Sequence, residues 1–282
     1  MKTVPICIEC IENAAIRTLS LLEISQEENK RITEEIKNYL ANVSLDLSPM
    51  EISFGTNEII QNETGIRDPL KKIKTQANKD AEKLEKNVKK IIQESDDIFL
   101  SSIKTAIAGN IIDFVYKSDY NLTQTIQDVF NKEPFINHYS ILNQKMQEVR
   151  DIALLVDNAG EIIFDKILIE TISNLFKIES INIVAKSFPF SNDITITEIE
   201  KLGFCSMKNI HCTSVNNKTG KNYSTEIKQK ISLSDIVISK GQGNFELLYG
   251  HELGIFFLFI VKCDVVAEIL NANKGDIIIS FN

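Results

Sequence analysis

The stretch LLVDNAGEIIFD, residues 154–165, passes from an apolar run through two polar residues and a glycine into a second apolar segment. The run that precedes Asp157 is typical of a buried strand, and Gly160 permits the sharp turn from which a helix can start. Asp157 and Asn158 would then lie at the carboxyl end of that strand. Ligands of open α/β sheets bind at the carboxyl ends of the strands, so the stretch predicts a fold class and a site together.

The chain of 282 residues has two parts with different patterning. After residue 150, short β-branched runs alternate with helical or loop stretches, which predicts a parallel sheet with helices on both faces. The predicted strands are 152–156, 181–185, 235–239, 255–261 and 276–281. We expect an α/β protein with two domains. Residues 1–148 form an all-helical N-terminal domain. Residues 149–282 form a three-layer α/β/α sandwich with a mostly parallel, Rossmann-like sheet, and this domain carries the site.

Helical periodicity dominates the first part of the chain. Apolar residues recur at steps of three and four after Asp68, with Lys and Glu between them. Asp68 is the predicted N-cap of that helix and Pro69 its first residue. The other predicted helices cover residues 8–23, 27–42, 97–117, 122–131 and 137–148.

Composition excludes several classes of partner. The net charge is −8, whereas nucleic-acid surfaces need clustered Lys and Arg. The most apolar stretch, Ile255–Val261, is far shorter than the roughly 20 residues that span a bilayer. Five cysteines are an odd number and argue against a disulfide framework. We expect a soluble, cytoplasmic protein without a nucleic-acid or membrane partner, and the sequence leaves its oligomeric state open.

Two predicted strand ends carry oxygen ligands. Asp157 and Asn158 offer a charged and a neutral oxygen, which hard cations such as Mg²⁺ or Mn²⁺ prefer, and Asp193 follows the next strand and adds a second carboxylate. The structural alternative is that Asp157 and Asp193 are helix N-caps, which are common in connections between strands and helices.

A third strand end carries a lysine and glycines, in the sequence SKGQGNFE (239–246). Lys240 directly follows an apolar strand, so its ammonium would pair with a phosphate while Gly241 lets backbone N–H groups approach it. The spacing of a Walker loop is absent. The alternative is a tight glycine-rich turn with a solvated lysine.

Further candidates lie in the helical part. Asn110 and Asp113 are one helical turn apart, and we expect their face to line the cleft and contact the substrate or the metal ligands. Gly109 costs that helix about 1 kcal/mol relative to Ala, which indicates close approach by another group. The alternative is that this face makes a helix–helix contact through the glycine. Arg67 and Lys74 are candidates for anion binding, although helical periodicity alone would place both in solvent.

These motifs resemble the damage-control phosphatases, a family first catalogued as domain of unknown function 89. The resemblance rests on DNAGEIIFD, on SND followed by Thr195, on SKGQGNFE and on the Cys7–Cys10 pair, a C-x-x-C start similar to that of the stand-alone microbial subgroup. It implies a phosphatase that acts on small phosphorylated metabolites such as sugar phosphates and depends on a divalent metal (Mn²⁺, Mg²⁺, Co²⁺ or Ni²⁺). It further implies that Asp157, Asn158 and Asp193 hold the metal, with Lys240 on the phosphoryl group.

The group that attacks the phosphorus is either a water or Asp157. We favour a metal-activated water over Asp157 as the nucleophile, because a carboxylate engaged with a cation is a weak nucleophile. Glu161, within the DNAGE motif, is a further substrate-binding candidate. Cys7 and Cys10 are at most half of a zinc site, which Cys263 or the pair His211–Cys212 would complete; the alternatives are buried thiols or a disulfide.

Two other functions remain open at this point. A Rossmann-like sheet with an acidic strand end also suits an S-adenosylmethionine-dependent methyltransferase, although no G-x-G-x-G loop follows the first predicted strand. The third interpretation is a protein that binds phosphorylated metabolites without catalysis.

Overall fold

The N-terminal part of the chain is helical. The computed structural model describes residues 1–110, 128–216, 223–251 and 254–282. Capping boxes at Ser25 and Ser48 start the second and third helices, in which each serine accepts from the N3 backbone N–H and the N3 glutamate accepts from the serine backbone N–H. The first helices are α1 (Pro5–Ser20), α2 (Gln26–Asn42), α3 (Pro49–Thr64), α4 (Lys71–Gln93) and α5 (Ile98–Gly109).

A seven-stranded sheet follows, with the order β1-β7-β6-β5-β2-β3-β4. All neighbouring strands are parallel except β6 and β7, which are antiparallel. The mostly parallel sheet predicted from the sequence is confirmed. The strands are β1 (Ile136–Asn137), β2 (Asp151–Leu155), β3 (Ser180–Lys186), β4 (Ile210–Val215), β5 (Ile236–Lys240), β6 (Ile255–Ile260) and β7 (Ile277–Phe281).

Shorter helices connect the strands and complete the two outer layers. They are α6 (Tyr139–Lys145), α7 (Glu161–Leu175), α8 (Ile196–Lys201), α9 (Tyr223–Ile231), α10 (Gln242–Leu248) and α11 (Asp264–Leu270). One apolar core joins one face of the sheet to α4, α5, α7 and α8, and a second joins the other face to α3, α9, α10 and α11. Burial of apolar side chains on both faces is what holds the three layers together.

A third apolar core lies among α1, α2 and α3. Helices α4 and α5 instead share the core of the sheet, so residues from the first half of the chain reach the strand ends. Strand β1 also comes from before residue 148 and pairs with β7. The division into domains at residue 148 stays a prediction.

Several local predictions were wrong or incomplete. Helix α3 was not predicted, because Ser53, Thr56 and Asn57 interrupt the apolar periodicity on one of its faces. Strand β4 was missed because it is an edge strand with a polar, half-buried sequence. Helix α4 begins at Lys71 rather than Pro69, and its N-cap residue is Leu70. The predicted helix at 122–131 lies partly outside the described residues.

The cysteines are divided between one disulfide and three free thiols. Cys205 and Cys212 are joined, so the prediction that Cys212 could complete a zinc site is wrong. Cys7, Cys10 and Cys263 are free. Among the described residues, no helix is long and apolar enough to cross a membrane.

Candidate functional site

The loop after β2 holds Asp157 in a fixed orientation. Its Oδ2 atom accepts hydrogen bonds from the side-chain amides of Asn110 and Asn158, each at 2.8 Å. The loop itself is anchored to α4, because the N–H of Gly160 donates to Asn78 Oδ1 at 2.6 Å. Asn110 at the end of α5 therefore touches a candidate metal ligand.

The loops after β2 and β3 are joined by backbone hydrogen bonds. The N–H of Ala159 donates to the carbonyl of Asn192, and the N–H of Ile194 donates to the carbonyl of Asp157, both at 2.9 Å. These bonds place Asn158 directly opposite Asp193 in an isolated antiparallel bridge. The two strand ends are thereby brought together, as the sequence predicted for neighbouring parallel strands.

The alternative that the two aspartates are helix N-caps is wrong. Helix α8 is capped by Thr195, whose side chain forms a capping box with Glu198. The Asp193 carboxylate is therefore not used as a helix cap. Helix α7 has Gly160 at its N-cap position and no side-chain cap bond. Neither Asp157 nor Asp193 is needed to start a helix, so another cause must account for their burial at the strand ends.

A cavity of about 250 Å³ opens above these residues. It lies between the strand ends and the helices α1 and α3. The described residues that line it are Ile11, Ala14, Ala15, Thr18, Met50, Ser53, Thr56, Asn57, Ile60, Asp157, Asn158, Phe190, Ser191, Asn192, Asp193, Gln242, Gly243 and Lys262.

Negative charge is crowded at the floor of this cavity. Burial, together with the nearby charges of Asp193 and Glu161, raises the pKa of Asp157 to about 7. Burial also raises the pKa of Asp193, although the Lys186 ammonium is bonded to its Oδ2. Two buried carboxylates that resist ionisation together are a favourable place for a cation.

The donor atoms fit a hard divalent cation. Asp157, Asn158 and Asp193 offer only oxygen atoms toward such an ion, the chemistry that Mg²⁺ and Mn²⁺ select. In the part of the chain that the structure describes, no group of three or more His, Cys, Asp or Glu side chains is arranged to hold a metal ion by itself. The third protein ligand at this site would be the Asn158 amide oxygen, and the three cysteines Cys7, Cys10 and Cys263 form no such group.

Lys240 lies beneath the site in a fully buried ionic cluster. Its ammonium donates to Glu161 Oε1 and Asp165 Oδ1, each at 2.5 Å, and to the carbonyl of Ala106 at 2.9 Å. Burial alone would lower the pKa of Lys240, but the charges of Asp165 and Glu161 raise it above its ordinary value. Lys240 does not line the cavity, so its predicted contact with a phosphoryl group stays a prediction.

Glu161 connects this cluster to the cavity floor. Its Oε2 atom accepts from Asn110 Nδ2 at 2.6 Å and from Asn158 Nδ2 at 3.2 Å, while Oε1 is held by Lys240. These are the same two amides that hold Asp157. Glu161 is fully buried and does not line the cavity; its predicted contact with substrate is likewise a prediction.

Two glycines allow close approach of neighbouring groups. Gly241 has φ +80°, and a Cβ atom there would lie 1.9 Å from Asp157 Oδ2. Its N–H donates to the carbonyl of Leu258 within the sheet. A Cβ on Gly109 would lie 2.9 Å from Phe164 Cδ2 and 3.0 Å from Glu161 Cα. The close approach predicted for that position is confirmed, and it is a helix–helix contact with α7.

The other predicted anion-binding residues lie away from the cavity lining. Lys74 is fully buried, so the solvent position predicted from helical periodicity was wrong. Its ammonium pairs with Asp68 and Glu198 and donates to the carbonyl of Asp193 at 3.4 Å. It therefore supports the loop after β3. Arg67 is exposed. Asp113 lies outside the described residues.

Two parts of the lining were missed as site residues by the sequence analysis. Lys262 is exposed, follows β6 and lines the cavity. The signal used for Lys240, a lysine directly after an apolar strand, applied equally to Lys262. The contributions of α1 and α3 had no comparable signal, because small polar residues on a helix carry no chemical signature by themselves.

The chain is similar to proteins of one family along nearly its whole length. The family model described as "Damage-control phosphatase ARMT1-like domain" matches residues 3–278. A damage-control phosphatase of Pyrococcus horikoshii is 30% identical over 76% of this chain and 75% of its own. A damage-control phosphatase of Archaeoglobus fulgidus is 23% identical over 99% and 98%.

Structural similarity agrees with the sequence matches. A crystal structure of a DUF89 family protein from Pyrococcus horikoshii superposes with a TM-score of 0.88 at 26% identity. The match covers 100% of this chain and 99% of that chain. An uncharacterised protein of Methanocaldococcus jannaschii is 27% identical over 98% of this chain and 94% of its own.

Removing the buried ammonium should destabilise the protein. In Lys240→Met, Glu161 and Asp165 lose their counter-charge in a site without water access, which costs about 3–5 kcal/mol. The free energy of unfolding in urea measures this change. Lys262→Met is the matched control, because Lys262 is exposed, and it should change stability by less than about 0.5 kcal/mol. Equal stability of the two variants would contradict the assignment.

Adding one methyl group at Gly241 should displace Asp157. In Gly241→Ala the new Cβ collides with the Asp157 carboxylate, so we expect weaker Mn²⁺ binding, by about tenfold or more, as measured by titration calorimetry. Gly250→Ala is the control, since Gly250 also has a positive φ (+83°) but open space around it. Unchanged Mn²⁺ affinity in Gly241→Ala would show that the contact does not matter for the site.

Proposed function

Because this chain belongs to the damage-control phosphatase ARMT1-like family, we propose that it is a divalent-metal-dependent phosphatase of small phosphorylated metabolites. The family and its named relatives support a phosphatase; dependence on a metal and the class of substrate are our proposal. The observation that carries the proposal is the convergence of Asp157, Asn158 and Asp193 on one small cavity that Lys262 also lines.

Asp157, Asn158 and Asp193 are the residues that would hold the cation. A divalent cation bound there would supply the positive charge that phosphoryl oxygens require and would lower the pKa of a bound water. The protein prepares the site by fixing Asp157 through Asn110 and by fixing the loop of Asp193 through Lys74. Groups held in place before the substrate binds need no reorganisation during the reaction.

Lys262 is the side chain that we assign to the phosphoryl group. It is the one cationic side chain among the described residues that line the cavity, and its charge partly opposes the rise in the pKa of Asp157. An ammonium group pairs with a phosphoryl oxygen as a compact point charge. Lys240, whose three N–H groups are already donated, we assign to positioning Glu161 instead.

Water is the nucleophile that the geometry favours. Asp157 Oδ2 accepts two amide hydrogen bonds, which lowers the charge density on that atom. An oxygen in this state is a weaker nucleophile than a free carboxylate oxygen. We therefore propose that Asp157 binds and orients while a water attacks the phosphorus.

The other two functions are less well supported. The family match is to a phosphatase domain and does not support the methyltransferase interpretation. A binding protein without catalysis would retain the cavity and Lys262 but would have no need of two buried aspartates whose pKa values are raised. The following experiment separates that possibility from the phosphatase.

Hydrolysis of a hexose monophosphate, measured as released inorganic phosphate with and without Mn²⁺, tests the proposal. We expect turnover only with the metal. Asp157→Asn and Asp193→Asn should each reduce kcat/KM by about 100-fold or more, because each removes a charged ligand of the cation. Lys262→Met should raise KM by about tenfold, the effect of losing one charge-assisted hydrogen bond.

Asp264→Asn serves as the matched control for the aspartate variants. Asp264 is exposed on α11, pairs with Lys274 and does not line the cavity, so its replacement should leave turnover unchanged. Mn²⁺ affinity from calorimetry provides a second readout that does not require catalysis. Full turnover in a chelated, metal-free sample, or in Asp157→Asn, would refute the metal-dependent mechanism.

A further inference from the structure

A lysine at the end of β3 is bonded to one of the two aspartates of the site. Lys186 is the last residue of β3, and its ammonium donates to Asp193 Oδ2. The two side chains are only 4% and 8% exposed, so little water screens the pair. The site residues predicted from the sequence did not include Lys186, although it follows an apolar strand as Lys240 and Lys262 do.

The surroundings of Lys186 hold its ammonium at this position. The backbone of Lys186 pairs with Val215 of β4, and an isolated parallel bridge joins it to Thr195. Its ammonium also lies over the ring of Phe190, 5.6 Å from the ring centre, where the face of an aromatic ring attracts a cation. The charge of Lys186 therefore stays in contact with Asp193.

The two aspartates are held by groups of different charge. Asp157 Oδ2 accepts from the neutral amides of Asn110 and Asn158, whereas Asp193 Oδ2 accepts from an ammonium. A neutral amide orients a carboxylate without opposing a cation that the carboxylate would bind. An ammonium in contact with the same carboxylate repels a divalent cation, and the repulsion is strong in a buried site because the effective dielectric constant is low.

Lys74 also reaches the loop of Asp193, but its charge is balanced elsewhere. It donates to the backbone carbonyl of Asp193 at 3.4 Å, while its ammonium pairs with the carboxylates of Asp68 and Glu198. Neither of these two carboxylates is a candidate metal ligand. Lys186 differs from Lys74 because its bond is made to the carboxylate that would bind the cation.

Building on the metal-dependent phosphatase proposed above, we propose that Lys186 is a counter-ion that stabilises the cation-free site and lowers its affinity for the divalent cation. Without the ammonium, the charge of Asp193 would remain buried and lose its ion-pair partner, which destabilises the cation-free protein. The same loss removes a charge that opposes the cation, so the cation binds more tightly. Lys186 thereby keeps the bound cation exchangeable.

Three substitutions at Lys186 separate its charge from its hydrogen bond. Lys186→Met removes both, Lys186→Gln removes the charge and keeps a donor, and Lys186→Arg keeps both. Titration calorimetry with Mn²⁺ measures the affinity. Lys186→Met and Lys186→Gln should each bind Mn²⁺ about tenfold or more tightly than the wild type. Lys186→Arg should stay within about threefold of the wild type.

Thermal unfolding provides a second readout that requires no turnover. With a chelator present, Lys186→Met should lower Tm by about 5–15 °C, because a buried charge has lost its partner. Saturating Mn²⁺ should then raise the Tm of this variant by more degrees than it raises that of the wild type, since stabilisation by a ligand grows with its affinity. If Lys186→Met does not fold, Lys186→Gln, which retains a donor to Asp193, carries both measurements.

Lys274→Met is the matched control. Lys274 is exposed and pairs with Asp264, which does not line the cavity, so its loss should change neither Mn²⁺ affinity nor the response of Tm to Mn²⁺. If Lys186 only orients Asp193, Lys186→Met should weaken Mn²⁺ binding while Lys186→Gln and Lys186→Arg preserve it. That pattern, or unchanged affinity in all three variants, would overturn the inference.

The two proposals fail in different ways. If the wild type releases phosphate from hexose monophosphate with Mn²⁺ but Lys186→Gln binds Mn²⁺ no more tightly, the counter-ion inference fails and the phosphatase stands. If Lys186→Gln binds Mn²⁺ more tightly but the wild type releases no phosphate at saturating Mn²⁺, the phosphatase proposal fails and the counter-ion inference stands. If neither the wild type nor the variants bind Mn²⁺, both fail.

Discussion

Two carboxylates, Asp157 and Asp193, are buried at the ends of adjacent strands and repel each other. Burial raises the pKa values of both, and the charge of Asp193 adds to the rise in the pKa of Asp157. Without a cation the site tolerates them through Lys186, which is bonded to Asp193, and through two amides that donate to Asp157. A divalent cation would relieve the same repulsion more fully, and the rest of the structure can be understood as the means of keeping these oxygens in place.

The residues of the site are held in place by the buried ionic cluster around Lys240 and by the helical half of the chain. Lys240 donates to both Asp165 and Glu161, and Glu161 in turn accepts from the amides of Asn110 and Asn158 that orient Asp157. Helix α4 holds the two loops in place: Asn78 accepts from the loop after β2, and Lys74 donates to the loop after β3. The helical part therefore fixes the positions of the loops that follow β2 and β3, as well as lining the cavity.

Much of this arrangement was predictable from the sequence, and the exceptions have physical reasons. The apolar strands ending in DNAGE, SND and SKGQG predicted the sheet and the meeting of their polar ends, because parallel strands place their carboxyl ends at one edge. The orientation of Lys240 was not predictable, since a lysine after an apolar strand looks the same whether it enters a cavity or a buried cluster. Only the positions of Glu161 and Asp165 on α7 decide between the two.

The part of the cavity lining that comes from α1 and α3 could not be predicted, for a different reason. Residues such as Ser53 and Thr56 become lining residues only when α3 is placed over the strand ends, and that placement depends on contacts between distant parts of the chain. A crystal grown with Mn²⁺ and measured at the manganese absorption edge would test the metal site directly. We expect one anomalous peak in the cavity, from a manganese ion bound by oxygens of Asp157, Asn158 and Asp193. A cavity without such a peak, or manganese bound only elsewhere in the molecule, would contradict it.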